Sequence, residues 1–139
     1  MNVIFRVDAS STMGTGHVMR CLTLARALAQ RGATCVFICR AHPGNCFTHI
    51  HQQGFSLLEL PLPEKHVITQ PEIDDKPLAH ASWLGIPWLQ DITDTKTILA
   101  ADVDNIDWLI VDHYALDARW ESAMRSICRQ IMVLSLIHI

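Results

Sequence analysis

Short apolar runs alternate with stretches of helical periodicity along most of the chain. The apolar runs predict strands, and the stretches with apolar positions three and four residues apart predict helices between them. The predicted strands are Val3–Val7, Ala33–Cys39, Phe55–Leu60, Trp108–Val111 and Ile131–Val133. The predicted helices are His17–Arg31, a weak one at about Asn45–Gln53, one through Ile98 and Leu99, and one carrying Trp120, Met124 and Ile127 on one face. This alternation predicts an α/β domain, a Rossmann-like parallel sheet with helices on both faces.

Glycine, proline and aspartate mark the expected ends of these elements. Gly32 stands where a helix C-terminal cap is expected, and Pro61 ends the third strand. Asp91 or Asp94 is expected to cap the third helix, and Asp117 the last one. Between the third strand and the third helix, residues 62–81 are polar and aperiodic, which predicts a surface excursion. The apolar turn at 83–88 that follows is too short for a helix.

The last six residues depart from this alternation. Residues 134–139 follow the fifth strand and end the chain with no covering helix. They resemble the translation of an adapter used in sequencing libraries. We therefore expect residues 1–133 to be an N-terminal domain of a larger enzyme, and 134–139 to be a non-native tail without a consistent packing partner. A natural short strand is the alternative.

Composition and charge exclude several classes of protein. Of 139 residues, 50% are hydrophobic and 18% charged, and the net charge is −3. A disordered tail and a basic nucleic-acid-binding domain are thereby excluded, so nucleic acid is not an expected partner. No apolar run approaches the ~20 residues of a membrane helix, so a membrane is not expected either. Five cysteines, scattered through apolar segments, are typical of reduced thiols in a cytoplasmic protein.

A glycine-containing loop joins the first strand to the first helix. Ligands of open α/β sheets bind outside the carboxyl ends of the strands, where this loop lies. Gly14, Thr15 and Gly16 can bring backbone N–H groups close to an anion, and the helix adds its positive end. The pattern is not a dinucleotide fingerprint, since Met19 stands where a third small residue belongs, and no P-loop lysine follows. A simple tight turn is the alternative.

His17 begins the helix that follows this loop. The positive end of a helix disfavours an imidazolium, so we expect a neutral ring, as a general base requires. A histidine that only caps or packs is the alternative. The position beside a candidate anion site favours the catalytic interpretation.

Two longer stretches carry a family resemblance. Residues 5–10 (FRVDAS) and 13–25 (MGTGHVMRCLTLA) closely resemble the opening of the UDP-2,4-diacetamido-2,4,6-trideoxy-β-L-altropyranose hydrolases of pseudaminic acid biosynthesis. Residues 108–114 (WLIVDHY), with Leu116, Asp117, Trp120 and Glu121, also resemble this family. The similarity extends to inverting glycosyltransferases of the GT-B type. It implies the N-terminal domain of a two-domain GT-B fold, with the substrate between the domains.

The resemblance also implies an activity. It implies hydrolysis of a UDP-sugar at the anomeric carbon, with His17 activating the water and the loop Gly14–Gly16 near the diphosphate. No metal or other cofactor is implied. Because the second domain is absent from this chain, we expect these residues alone to be inactive. A glycosyltransferase and a non-catalytic nucleotide-sugar binding module are the alternatives.

Polar residues at the end of the fourth strand are further candidates. Asp112, His113 and Tyr114 leave a predicted strand at its carboxyl end, which faces the ligand cleft of such folds. Asp112 and Tyr114 are therefore expected to bind substrate. For Asp112 two interpretations stay open: it orients a substrate hydroxyl, or it caps a turn.

Several other residues favour structural roles. Arg6 lies in a strand buried on both sides, so it needs an ion-pair partner. Asp8 and Ser10 are expected to fix the loop. Ser82 and Trp83 are compatible with a sugar pocket, although a tryptophan between apolar neighbours is more often core. A zinc site is disfavoured, because the spacing matches no ligand pattern in the set His42, Cys46, His49 and His51.

Overall fold

A five-stranded parallel sheet organises the chain in the computed structural model, which describes residues 1–63 and 80–134. The strands are β1 (Asn2–Val7), β2 (Thr34–Arg40), β3 (Ser56–Leu60), β4 (Trp108–Asp112) and β5 (Gln130–Val133). Their order in the sheet is β3-β2-β1-β4-β5, and every adjacent pair is parallel. The predicted Rossmann-like α/β class is confirmed.

Helices connect the strands as the periodicity predicts. They are α1 (Gly16–Gln30), α2 (Phe47–Gln52), α3 (Trp88–Asp102) and α4 (Ala118–Met124). A 3₁₀ turn at Ala81–Leu84 precedes α3, where the sequence predicted an apolar turn. In the part of the chain that the structure describes, no helix is long and apolar enough to cross a membrane.

Alternate residues of the central strand, β1, pack into two separate hydrophobic cores, one on each face of the sheet. Val3 and Phe5 are fully buried against the α1 side of the sheet, where Phe5 stacks on Phe37 with ring centroids 4.8 Å apart. Ile4 points to the other side and packs in the core that holds Trp120. Burial on both faces follows from the parallel sheet, whose crossover helices cover both sides.

Arg6 lies on the second face of β1, and it is fully buried in an ion cluster. Its Nη1 donates to Asp8 Oδ1 at 2.7 Å, and its Nη2 donates to Asp91 Oδ2 at 2.6 Å. Arg40, at the end of β2, also donates to Asp91 Oδ2, at 2.8 Å. The predicted structural ion pair of Arg6 is thus confirmed. Buried charges of this kind are retained only when they are closely paired.

Asp91 is not the cap of α3, and that prediction is wrong. The helix begins at Trp88, with Pro87 in the N-cap position, so Asp91 and Asp94 both lie inside it. The sequence pattern did not reveal that two buried arginines need a counter-charge from this helix. Trp120 Nε1 donates to the same carboxylate at 2.9 Å, which ties α4 into the cluster.

The end of α4 and the residue that follows β5 also differ from the predictions. α4 stops at Met124, and Ile127 follows in a turn whose N–H donates to the Met124 carbonyl at 3.0 Å. Ile127 still packs against the predicted core. Leu134 donates its N–H to the Val111 carbonyl at 2.9 Å and packs on the α1 side of the sheet. The expected lack of packing is therefore wrong for Leu134. Residues 135–139, and 64–79 of the predicted excursion, lie outside the described residues.

Candidate functional site

The strand order brings two distant loops together at one point of the sheet. β1 and β4 are neighbours, and the chain leaves them toward opposite halves of the sheet, which is where open α/β sheets bind ligands. His17 lies in the first turn of α1, after β1, and Asp112 is the last residue of β4. The His17 Nδ1 lies 2.6 Å from Asp112 Oδ1. The strand order thus brings two side chains that are 95 residues apart in the sequence into direct contact.

The loop before His17 is held tightly by its own backbone. The Gly14 N–H donates to the Ser10 carbonyl at 2.8 Å, and the Met13 N–H donates to Ser10 Oγ at 2.9 Å. Gly14 has φ +77°, a left-handed conformation that glycine adopts without strain. Ser10 therefore fixes the loop, as predicted. Thr15, the N-cap of α1, makes no side-chain capping bond, so it does not satisfy the helix's first N–H groups.

Arg20 completes a three-residue cluster with His17 and Asp112. It lies one turn along α1 and donates from Nε and Nη2 to the two oxygens of Asp112. Burial by itself would raise the pKa of Asp112, but the bonds from Arg20 and His17 outweigh it and lower that pKa to about 2. The pKa of Arg20 rises above its ordinary value, chiefly through its bonds to Asp112. Asp112 is therefore an ionised carboxylate whose charge Arg20 neutralises.

The ionised Asp112 fixes the tautomer of His17. A carboxylate only accepts hydrogen bonds, so the short contact requires the His17 proton to be on Nδ1. In the neutral ring, Nε2 is then the nitrogen that carries a free lone pair. The cluster has the base-and-orienter geometry of general-base sites.

Aromatic rings lie beside the histidine. Tyr114 meets the His17 ring edge-on, with centroids 4.6 Å apart, and it stacks on Trp83 at 5.8 Å. His80 contacts Trp83 with centroids 4.4 Å apart. Trp83 is half-buried and thus belongs to the rim of the site, so the core interpretation of this tryptophan is wrong.

A second histidine–aspartate group occupies the neighbouring strand ends. Asp8 is fully buried, and its Oδ2 accepts from His113 Nε2 at 2.8 Å and from His42 Nε2 at 3.3 Å. Its Oδ1 accepts from the Arg40 N–H at 2.7 Å, which joins β1 to β2. Burial favours the protonated acid, but Arg6 and the two histidines hold the pKa of Asp8 well below its usual range. Asp8 therefore fixes the start of the loop after β1, which is the role that the sequence predicted for it.

The candidate zinc ligands do not form a metal site. His42 contacts Asp8, and in the described ranges 1–63 and 80–134 no group of three histidine, cysteine or acidic side chains is arranged to hold a metal ion. The five cysteines are all free thiols, as their number and placement predicted. Burial raises the pKa of Cys21, whose Sγ lies 3.7 Å from Asp112 Oδ2.

The structure therefore unites most of the predicted site. His17, Asp112 and Tyr114 come together beside the loop of Gly14, Thr15 and Gly16. The Asp112 oxygens contact His17 and Arg20, so the turn-capping interpretation is wrong, while substrate binding by Asp112 stays a prediction. Sequence reasoning missed Arg20. Its only signal was a spacing of three from His17, which puts both on one helix face.

Comparison with known proteins supports the fold. No protein-family model and no curated protein matches the sequence. Among solved structures, the crystal structure of LpCGTa in complex with UDP matches with a TM-score of 0.52 and 22% sequence identity. The match covers 91% of this chain but only 28% of the LpCGTa chain. The chain thus shares its Rossmann-like α/β fold with part of LpCGTa, and it spans about a quarter of the protein it matches.

Proposed function

We propose that this chain is the general-base domain of a UDP-sugar hydrolase, which a second domain completes. The proposed reaction is the hydrolysis of a UDP-linked diacetamido-trideoxy sugar at its anomeric carbon. One observation carries the proposal: the contact between His17 Nδ1 and Asp112 Oδ1 at the meeting point of β1 and β4. The resemblance of residues 5–25 to this hydrolase family supports the same reaction.

His17 would act through its second ring nitrogen. With Nδ1 donating to Asp112, Nε2 takes a proton from water as the water oxygen attacks the anomeric carbon. The bond between that carbon and the diphosphate oxygen breaks, and UDP departs with the bonding electrons. The proton on His17 adds positive charge beside Asp112, which stabilises the imidazolium that forms. A positioned base of this kind contributes typically ~10²–10⁴-fold to the rate.

The start of α1 would receive the diphosphate. Its first N–H groups lack a capping side chain and carry the positive end of the helix dipole. Negative charge grows on the leaving oxygen as UDP departs, so a fixed donor there stabilises the transition state more than the substrate. That LpCGTa was solved in complex with UDP supports a nucleotide diphosphate as the ligand of this fold.

A UDP-sugar glycosyltransferase is the second candidate. The same base can deprotonate a sugar hydroxyl instead of water, and the GT-B-like fold favours this alternative. The product separates the two: free sugar with UDP for a hydrolase, and a new glycoside with UDP for a transferase.

Isotope labelling tests the reaction in the protein that carries this domain together with its second domain. In H₂¹⁸O, attack at the anomeric carbon places ¹⁸O in the free sugar and none in UDP. Mass spectrometry of both products measures this distribution. Label in UDP would mean attack at phosphorus, and unlabelled sugar joined to an acceptor would mean transfer; either result contradicts the proposal.

A further inference from the structure

A cleft of about 690 Å³ opens beside the His17 cluster, at the ends of β1, β2 and β3. It lies between the loop that begins at Ser10 and the 3₁₀ turn that carries Trp83. The proposed function assigns no role to this cleft. Its polar lining consists of His42 and the hydroxyl side chains Ser10, Ser11, Thr12 and Ser82.

Among the described residues no lysine, arginine, aspartate or glutamate lines the cleft. A phosphate or carboxylate group would find no counter-charge among these described side chains, and an unpaired charge is costly to bury. The chemistry favours a neutral ligand with many hydroxyl or amide groups.

His42 is held in one orientation at the wall of this cleft. Its Nε2 lies 3.3 Å from Asp8 Oδ2, and Asp8 is an ionised acceptor, so Nε2 carries the proton. The backbone of His42 is also tied, because its carbonyl accepts from Asn45 Nδ2 at 2.8 Å. Within 1–63 and 80–134 nothing hydrogen-bonds to His42 Nδ1, so this nitrogen can accept a bond from a ligand.

Gly85 leaves room for that edge of the ring. A Cβ at Gly85 would lie 2.9 Å from His42 Cε1 and 2.8 Å from Leu62 Cδ1. Gly85 thus packs against the Cε1 edge of His42, and both residues line the cleft. A larger residue at position 85 would press on this edge.

Trp83 supplies an apolar surface in the lining of the cleft. It lines the cleft, and it stacks on Tyr114, which in turn contacts His17. A sugar ring offers such a surface its C–H face while its hydroxyl groups bond to polar side chains at the edge. The same tryptophan joins the cleft to the proposed base, so a ring bound there lies next to the reacting centre.

We propose that this cleft binds the pyranose ring of the substrate, with His42 as a specificity-determining acceptor for a sugar hydroxyl or amide and Trp83 as the stacking surface. The identification of the ring as that of a nucleotide sugar rests on the proposed function. The diphosphate then stays at the start of α1, outside the cleft.

Ligand-observed saturation-transfer NMR on the 139-residue chain tests this subsite. The probes are the methyl glycoside of N-acetylglucosamine and, separately, uridine. We expect the glycoside to bind, with its ring protons receiving saturation. His42→Leu should weaken its binding about three- to tenfold, the value of one hydrogen bond, and Trp83→Leu about tenfold.

Matched variants outside the cleft control for general effects. Trp88→Leu replaces another half-buried tryptophan, and His51→Leu replaces an exposed histidine of α2; neither should change glycoside binding. Circular dichroism checks that each variant is folded. If His42→Leu does not fold, Trp83→Leu decides the matter, because that side chain is only half-buried.

The outcomes separate this inference from the proposed function. No saturation of the glycoside, binding of uridine in its place, or unchanged glycoside affinity in Trp83→Leu would overturn the inference. Glycoside binding that depends on Trp83 supports the subsite even if the two-domain protein fails to hydrolyse UDP-sugar. Hydrolysis without glycoside binding in the cleft would leave the proposed function standing and the subsite wrong.

Discussion

The Nδ1 of His17 and the Oδ1 of Asp112 lie 2.6 Å apart, which joins the first turn of α1 to the last residue of β4. Arg20 holds both carboxylate oxygens of Asp112 from the same helix as His17. The imidazole is therefore fixed at one nitrogen, and the other nitrogen is left for chemistry.

His17 is the first residue to test by substitution, in the two-domain hydrolase proposed above. His17→Asn should lower kcat by about 10²–10⁴-fold and leave KM nearly unchanged, because the base acts in the transition state. Steady-state kinetics of both proteins measures kcat and KM. His51→Asn, on the exposed side of α2, is the control. An unchanged kcat, or a loss in KM alone, would make His17 a binding or packing residue.

Asp112→Asn tests the partner of the base. The amide has no negative charge to stabilise the imidazolium, and it cannot receive two bonds from Arg20 as a carboxylate does. We expect kcat to fall about tenfold or more, while the fold persists. Asp117→Asn removes an aspartate that caps α4 away from His17, so it should leave kcat unchanged. Equal kcat values for the two variants would refute the positioning role of Asp112.

The buried ion cluster predicts a large difference in stability between two aspartates of one helix. Asp91 is fully buried and accepts from Arg6 and Arg40, so Asp91→Asn removes the carboxylate that these two buried arginines share. The free energy of unfolding should fall by about 3–5 kcal/mol. The Asp94 side chain is 21% exposed and pairs with Arg40 alone, so Asp94→Asn should cost about 1 kcal/mol or less. Urea unfolding of both variants measures this, and equal losses would contradict the prediction.

Acid should destabilise the fold in two stages. Burial lowers the pKa of His113 below its ordinary 6.5, against the opposing bond from Asp8. Below about pH 6.5 the histidine is protonated in the unfolded chain before it is protonated in the folded one. The unfolded chain therefore binds more protons, and the free energy of unfolding falls as the pH drops from about 6.5. The pKa of Asp112 is about 2 in the folded chain, against 3.8 ordinarily, so a second loss follows as the pH falls through that interval.

His113→Gln isolates the first stage of this acid unfolding. The variant lacks the titrating ring, so its unfolding free energy should change less than that of the wild type between pH 6.5 and the acidic range. Thermal or urea unfolding at a series of pH values measures the slope. His51→Gln serves as the control, because that side chain is exposed. An identical slope in wild type and His113→Gln would show that His113 does not carry the effect.

Local pattern in the sequence determined the strands, the helices and the loop that carries His17. Apolar runs and helical spacing are local properties, and glycine after a helix marks its end without reference to the rest of the chain. The same reasoning required a partner for Arg6, because burial of a charge has a cost wherever it occurs. The identity of that partner was not a local property.

Tertiary structure alone decided which distant side chains meet. The order β3-β2-β1-β4-β5 places the end of β4 beside the start of α1, which brings Asp112 to His17 and Arg20. It also directs Asp91 into the core as the counter-charge of Arg6, where the local pattern had indicated a helix cap. Strand order depends on how entire faces pack, and no short window of sequence contains that information.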